Sequence, residues 1–115
     1  MNFQLEQKAI GAIRLLQRPG RPDIVARLVT VYLDKSPTLI ADIQAGVSAN
    51  DADKVKMAAH TLKSSSAYLG ASTLADQCNK LEQKAATNDL SDAGKHVKAI
   101  ATGYQVVSDQ IRSYG

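Results

Sequence analysis

Residues 51–86 read DADKVKMAAHTLKSSSAYLGASTLADQCNKLEQKAA, and the periodicity of this stretch decides the fold. After Gly70, the apolar positions Leu74, Cys78, Leu81 and Ala85 step by four, three and four, the seam a helix offers to a bundle. Before it, Val55, Ala59, Leu62, Ser66 and Leu69 form a second inner stripe, and Asp51 stands where an N-cap belongs. Gly70 ends the first helix, so the spacing predicts helices over 52–68 and 72–87 joined as an antiparallel hairpin.

The pattern outward from the hairpin is also helical. Pro22 suits a first helical position, and Val25, Leu28, Tyr32, Ile40, Ile43 and Val47 carry a helix over about 22–48. Pro37 removes the hydrogen bond to the Leu33 carbonyl, which predicts a bend or a break there. Val97, Ile100, Tyr104, Val107 and Ile111 define a last helix over about 91–113, and a short one is expected over about 3–17. The breakers are Pro19-Gly20-Arg21-Pro22, Asn50-Asp51, Gly70 and Asn88-Asp89, and no segment shows strand alternation. The expectation is an all-α chain, one domain over 1–115, built as an antiparallel four-helix bundle with a short additional N-terminal helix.

Composition narrows the function. The chain has 115 residues, no Trp and one Phe, so its core is built from aliphatic side chains. A formal charge of +3, with no Lys or Arg run interleaved with aromatics, gives a nucleic-acid groove little support. One cysteine, Cys78, cannot staple the chain and reads as a buried small hydrophobe. Met1 to Leu16 lack the apolar run of a signal peptide, and no stretch approaches the ~20 apolar residues that cross a bilayer. A cytoplasmic location without membrane insertion is expected.

The chemistry lies on the helix over 52–68. With Val55 set at zero and about 100° of rotation per residue, the inner stripe stays within about 40° of that direction and His60 falls near 140°. Its neighbours on the outer face are Lys56, Lys63, Ala67, Asp53 and Ser64. An imidazole ordinarily titrates near pH ~6.5, so at neutral pH much of such a group is an uncharged nucleophile. The lysines would favour a phosphoryl group once attached. On these residues alone, an exposed histidine without a role remains an equal alternative. His60 lies ten residues before Gly70 and Glu82 twelve after it, so the two share a height on the hairpin. Glu82 is then placed to accept the Nδ1–H of His60 and leave Nε2 aimed outward, although a solvated glutamate at the bundle edge also fits.

Residues 59–71, AHTLKSSSAYLGA, resemble the signature of histidine-containing phosphotransfer (HPt) domains, A-H-x-L-K-G-S-S-x-x-x-G-A. Leu74, Cys78, Leu81-Glu82, Tyr32 and Pro37 match the same family, and the resemblance weakens before about residue 20. It implies that His60 is the phospho-acceptor, that Lys63 neutralises phosphoryl charge, that Glu82 orients the imidazole, and that Gly70 forms the tight helix connection. Serine at position 64 replaces the glycine usual after the lysine. The function implied is a phosphorelay step: His60 takes a phosphoryl group from a receiver-domain aspartate and passes it to another receiver. The implied partners are response-regulator receivers and a hybrid sensor histidine kinase. The module has no cofactor of its own, since Mg²⁺ resides in the receiver. A monomer is expected. The docking face is expected around Asp53, Lys56, Met57, Ser64 and Ala67, extended near Ile24 and Leu28. A non-phosphorylated adaptor that sequesters a partner is the competing reading.

Other chemistry is poorly served. With only Glu6 and Glu82, a di-metal bundle lacks ligands, and no metal site is expected. His96 reads as a surface histidine, and Ser65 and Ser66 as small packing residues. No Gly-rich phosphate loop is present, so the chain is expected to be a phosphocarrier without autonomous kinase activity.

Overall fold

The computed structural model describes residues 1–114; the last residue of the expected 1–115 domain, Gly115, lies outside the described residues. The elements in order are α1 (Gln7–Arg14), α2 (Ile24–Ser48), α3 (Ala52–Tyr68), α4 (Ser72–Ala86), α5 (Ala93–Ile111) and a closing 3-10 turn, Arg112–Tyr114. The fold is all-helical, with no strand among the described residues.

The helix ends explain the boundaries. Asn50, Gly70 and Asn88 have φ of 53°, 88° and 58°, and each follows the C-cap of a helix. At each, two amides bond back into the last turn: Asp51 to Gly46 O and Asn50 to Val47 O, Ala71 to Ser66 O and Gly70 to Ala67 O, Asp89 to Lys84 O and Asn88 to Ala85 O. This left-handed C-cap satisfies carbonyls that the helix leaves orphaned and reverses the chain. Asp51 opens α3 by accepting from Lys54 N at 3.1 Å.

Three boundaries depart from the sequence expectation. The N-terminal helix covers Gln7–Arg14 rather than 3–17. Phe3 and Leu5 are buried in non-helical chain, where Leu5 N donates to Gln110 Oε1 (2.9 Å) and Glu6 N to Gly70 O (2.9 Å). Those amides find distant partners, so no helical turn is needed to satisfy them. Beyond Arg14, Leu15 and Leu16 are exposed and offer no apolar face to prolong the helix. Pro22 precedes α2 instead of opening it, because Asp23 is the cap and accepts from Val25 N and Ala26 N at 3.0 and 3.2 Å. The last helix begins at Ala93 because Asp89 holds Ser91 in the preceding turn through both Ser91 N (3.0 Å) and its hydroxyl (2.6 Å). Pro37 does not break α2, which runs unbroken to Ser48.

Each helix packs on its neighbours: α2 on α3, α3 on α4, α4 on α5, α5 back on α2, with α1 against α2. Tyr32 and Ser66 share a hydroxyl hydrogen bond of 2.8 Å near one end of the α2–α3 pair, while Gly46 lies against Val55 at the other. These two helices are therefore antiparallel. Val25, Val29, Ile43, Val55, Leu62, Leu74, Leu81, Ile100, Val107 and Ile111 are sealed between the helices. Cys78 is among them, and burial pushes its thiol up to about 12. Among the described residues, no helix is long and apolar enough to cross a membrane.

Candidate functional site

His60 projects from the middle of α3 with 60% of its side chain exposed. Glu82 faces it from α4, and the two meet at 2.8 Å between His60 Nδ1 and Glu82 Oε2. The other oxygen of the same carboxylate holds a cation: Lys63 Nζ lies 2.6 Å from Glu82 Oε1. Oε1 is sealed from solvent, so the ammonium of Lys63 is its charge partner among the described residues. Lys63 Nζ also reaches Asn79 Oδ1 at 3.4 Å. The pairs His60–Glu82 and Lys63–Asn79 run in opposite sequence directions, which makes α3 and α4 antiparallel.

Electrostatics decide the protonation of the carboxylate. Partial burial alone would raise the Glu82 pKa, but hydrogen bonds from Lys63 and His60, reinforced by their charges, outweigh it and hold the carboxyl below its ordinary range. A carboxylate only accepts, so the proton between the two groups belongs to Nδ1 of His60. Nδ1 is thereby fixed as the donor, and Nε2 lies on the edge of the ring away from Glu82.

The other residues singled out in the sequence are distributed around this pair. Asp53, Lys56, Met57, Ser64 and Ala67 are all exposed on α3. Ser64 Oγ donates back to the His60 carbonyl at 3.2 Å, as serine hydroxyls in helices often do. Ile24 and Leu28 are half-buried on α2. Gly70 lies at the α3–α4 turn, ten residues from His60 in sequence and apart from the site. His96 is a half-buried histidine of α5; burial first, and then Lys84 and Lys95, push its pKa down. No group of three or more His, Cys, Asp or Glu suited to a metal occurs among the described residues.

Two features escaped the sequence reading. Lys63 is turned toward α4 with only 28% of its side chain exposed, rather than standing free beside His60. Asn79, its second partner, lies three residues before Glu82 on the same face of α4; that spacing was the available signal.

An all-helical fold that presents a solvent-facing imidazole held by a carboxylate has the form of a small phosphocarrier module. The chain belongs to the Hpt domain family, whose model matches residues 27–110. It is accordingly a phosphotransfer protein of two-component signalling; domains of this family are phosphocarrier modules rather than kinases, and their partners are receiver domains and histidine kinases. Its fold is similar to that in the crystal structure of histidine-containing phosphotransfer protein B (HptB) from Pseudomonas aeruginosa PAO1. The TM-score is 0.85 at 20% identity, over 95% of this chain and 91% of that one. No curated protein matches the chain by sequence.

Proposed function

We propose that His60 accepts a phosphoryl group from the phosphoaspartate of one receiver domain and donates it to the aspartate of another. The observation that carries this is the Nδ1–Glu82 Oε2 contact of 2.8 Å on an imidazole that is 60% exposed. In the forward step Nε2 attacks phosphorus. The N–P bond forms as the P–O bond to the aspartyl carbonyl breaks, and that electron pair leaves with the receiver's carboxylate. No proton has to move: the ring keeps its Nδ1–H and becomes a phosphoimidazolium whose positive charge faces Glu82. In the second step a receiver carboxylate attacks, and the N–P electron pair returns to Nε2.

In this reading Glu82 orients the ring and balances the cation. Lys63 supports the charge of the phosphoryl oxygens from its place beside Glu82, and Mg²⁺ comes with the receiver. Asp53, Lys56, Met57, Ser64 and Ala67 surround the docking point, and Gly70 closes the α3–α4 turn. The five helices form an antiparallel four-helix bundle, α2 to α5, with α1 as a short addition. The module acts as a monomer between a hybrid sensor kinase and a response regulator and uses no nucleotide of its own.

The test is His60→Gln incubated with a receiver carrying labelled phosphoaspartate. The parent should acquire acid-labile, base-stable label and the variant none. Label on the variant would move the acceptor elsewhere. A parent that binds the receiver without acquiring label would be an adaptor.

A further inference from the structure

The formal charge of the whole chain is +3, and the segment 14–27 carries the same surplus by itself: Arg14, Arg18, Arg21 and Arg27 against Asp23. Four of the five arginines lie in this segment; the fifth is Arg112. The remainder of the molecule sums to zero formal charge, so the net positive charge of the chain is concentrated at the α1–α2 connection. Arg18, Arg21 and Arg27 are exposed, and none has a carboxylate at ion-pair distance among the described residues. Leu15 and Leu16 beside them are 86% and 58% exposed.

The connection is a built loop. Gln17 Nε2 donates to the carbonyls of Arg18, Arg21 and Pro22 at 3.2, 3.2 and 3.0 Å, and Gln17 Oε1 accepts from Ile24 N at 2.7 Å. One side chain thus stitches the Pro19–Gly20 turn onto the start of α2 and sets where Arg18 and Arg21 emerge.

These arginines border a groove that leads to the phosphotransfer site. A recess of about 370 Å³ is lined by Leu16, Arg18, Arg21, Ile24 and Arg27, and also by Leu28 and Val31. Leu28 and Val31 also line a larger, mainly apolar groove of about 710 Å³ between α2 and α3, whose far wall holds Leu39, Thr61 and Ser64. Thr61 and Ser64 are the residue after His60 and the residue one turn beyond it. From Ile24 to Leu39 the continuous surface spans fifteen residues of α2, about 22 Å at the helical rise. A partner domain of ordinary size, with a radius of gyration of about 13 Å, can touch both ends at once.

We propose that the Arg18–Arg21–Arg27 recess is the second anchor of the receiver domain that docks over His60, and that it selects receivers bearing a carboxylate-rich patch on the corresponding edge. This rests on the phosphocarrier reading of His60. Charge complementarity names the partner's edge, and the shared walls at Leu28 and Val31 make the recess part of the same docking surface. Charges at the rim of an interface act chiefly on association rate and partner choice, so the consequence is faster capture of cognate receivers.

The probes are receiver domains from the same genome, charged with acetyl phosphate. Transfer to the parent should slow several-fold between low salt and ~0.3 M NaCl, where the Debye length falls well below the span of the groove. A variant carrying Arg18→Glu, Arg21→Glu and Arg27→Glu should lose about tenfold in transfer at low salt, and its salt dependence should reverse, because salt then screens repulsion. The matching triple Lys variant should keep the parent's rate and salt dependence. Salt-independent transfer to the parent, or a folded triple Glu variant with the parent's rate and salt slope, would overturn the proposal. So would arginine-dependent capture of the parent on phosphatidylglycerol vesicles combined with undiminished transfer to the Glu variant. His60→Gln separates this from the underlying reading: it retains the arginines and should bind the same receivers with the same salt dependence, whether or not His60 is the acceptor.

Discussion

At the scale of single residues, one carboxylate organises the site. Glu82 uses Oε2 for the imidazole and Oε1 for Lys63, so the three side chains form a unit spanning α3 and α4. The His60–Glu82 contact was legible in the sequence because both residues lie at nearly equal distances from the turning point Gly70. The direction of Lys63 was not. At about 80° from the inner stripe it sits on the flank of the helix, and a four-carbon stem from the flank reaches the neighbouring helix as easily as solvent. Asn79 went unread because a neutral amide carries no charge pattern. The pairing alters what Lys63→Ala should do. It removes a cation from the phosphoryl neighbourhood and should slow transfer several-fold, a barrier change of about 1 kcal/mol. It also unpairs a sealed carboxylate oxygen, so the carboxyl of Glu82 should rise toward its ordinary range. A carboxyl held below that range stabilises the fold fully above its unfolded pKa, and the contribution disappears as pH falls through the folded pKa. Urea unfolding from neutral to acid pH should therefore show a shallower acid-side loss for Lys63→Ala than for the parent. Identical acid limbs would mean that the pair contributes nothing in solution. Ser64 tests access. It is exposed one turn after His60, so Ser64→Gly should stay within several-fold of the parent. Ser64→Arg should fold, by circular dichroism, and transfer about tenfold more slowly, because a bulky side chain there obstructs docking while Arg is a good helix former. Parent-like transfer by the Arg variant would place the partner on another face.

At the scale of elements, the helix ends were the most readable feature and the helix starts the least. Asn50, Gly70 and Asn88 announce left-handed C-caps through residue type alone, and all three end helices that way. Starts depend on competing side chains: Asp23 displaces Pro22 from the first turn, and Asp89 detains Ser91. Gly70 bears two constraints. Its φ of 88° disfavours any side chain, and a Cβ added there would lie 2.7 Å from the Glu6 carbonyl oxygen and 2.9 Å from Ala9 Cβ. Gly70→Ala should therefore cost at least about 2 kcal/mol in urea unfolding, more than the left-handed penalty alone. The excess should come from loosening the N-terminal segment, visible as faster amide exchange at Glu6, whose N–H donates to Gly70 O. A cost below the left-handed penalty would show that residues 6–9 yield without resistance.

At the scale of the whole molecule, the family match begins at residue 27, yet the chain before it is part of the same core. Phe3, Leu5, Ile10 and Ile13 are buried, Phe3 packs where α5 has only the hydrogen of Gly103, and Ser72 donates its hydroxyl to the Glu6 carboxylate. Periodicity could not reveal this. Phe3 and Leu5 lie in chain without a helical repeat, and their partners stand about a hundred residues away in sequence, at Gly103 and Gln110. The segment covers the end of the molecule that holds the α3–α4 turn, and His60 is ten residues, about 15 Å, along α3 from that turn. Stability and transfer should therefore separate. Deleting residues 1–6 removes two large buried side chains, each worth about 1.5–3 kcal/mol when fully buried, a total of about 3–6 kcal/mol. That is a large share of the stability of a small domain, and it should lower the melting temperature by roughly 10 °C or more. Below its transition the shortened protein should still accept phosphoryl groups at the parent rate per folded molecule, because the Glu82–His60 contact lies well along α3 and α4 from the contacts that the deletion removes at Gly70 and Ser72. Calorimetry and a transfer time course at low temperature check both halves. A fully folded deletion variant that fails to accept label would mean that the turn end of α3 governs the presentation of His60, contrary to the local geometry around Glu82.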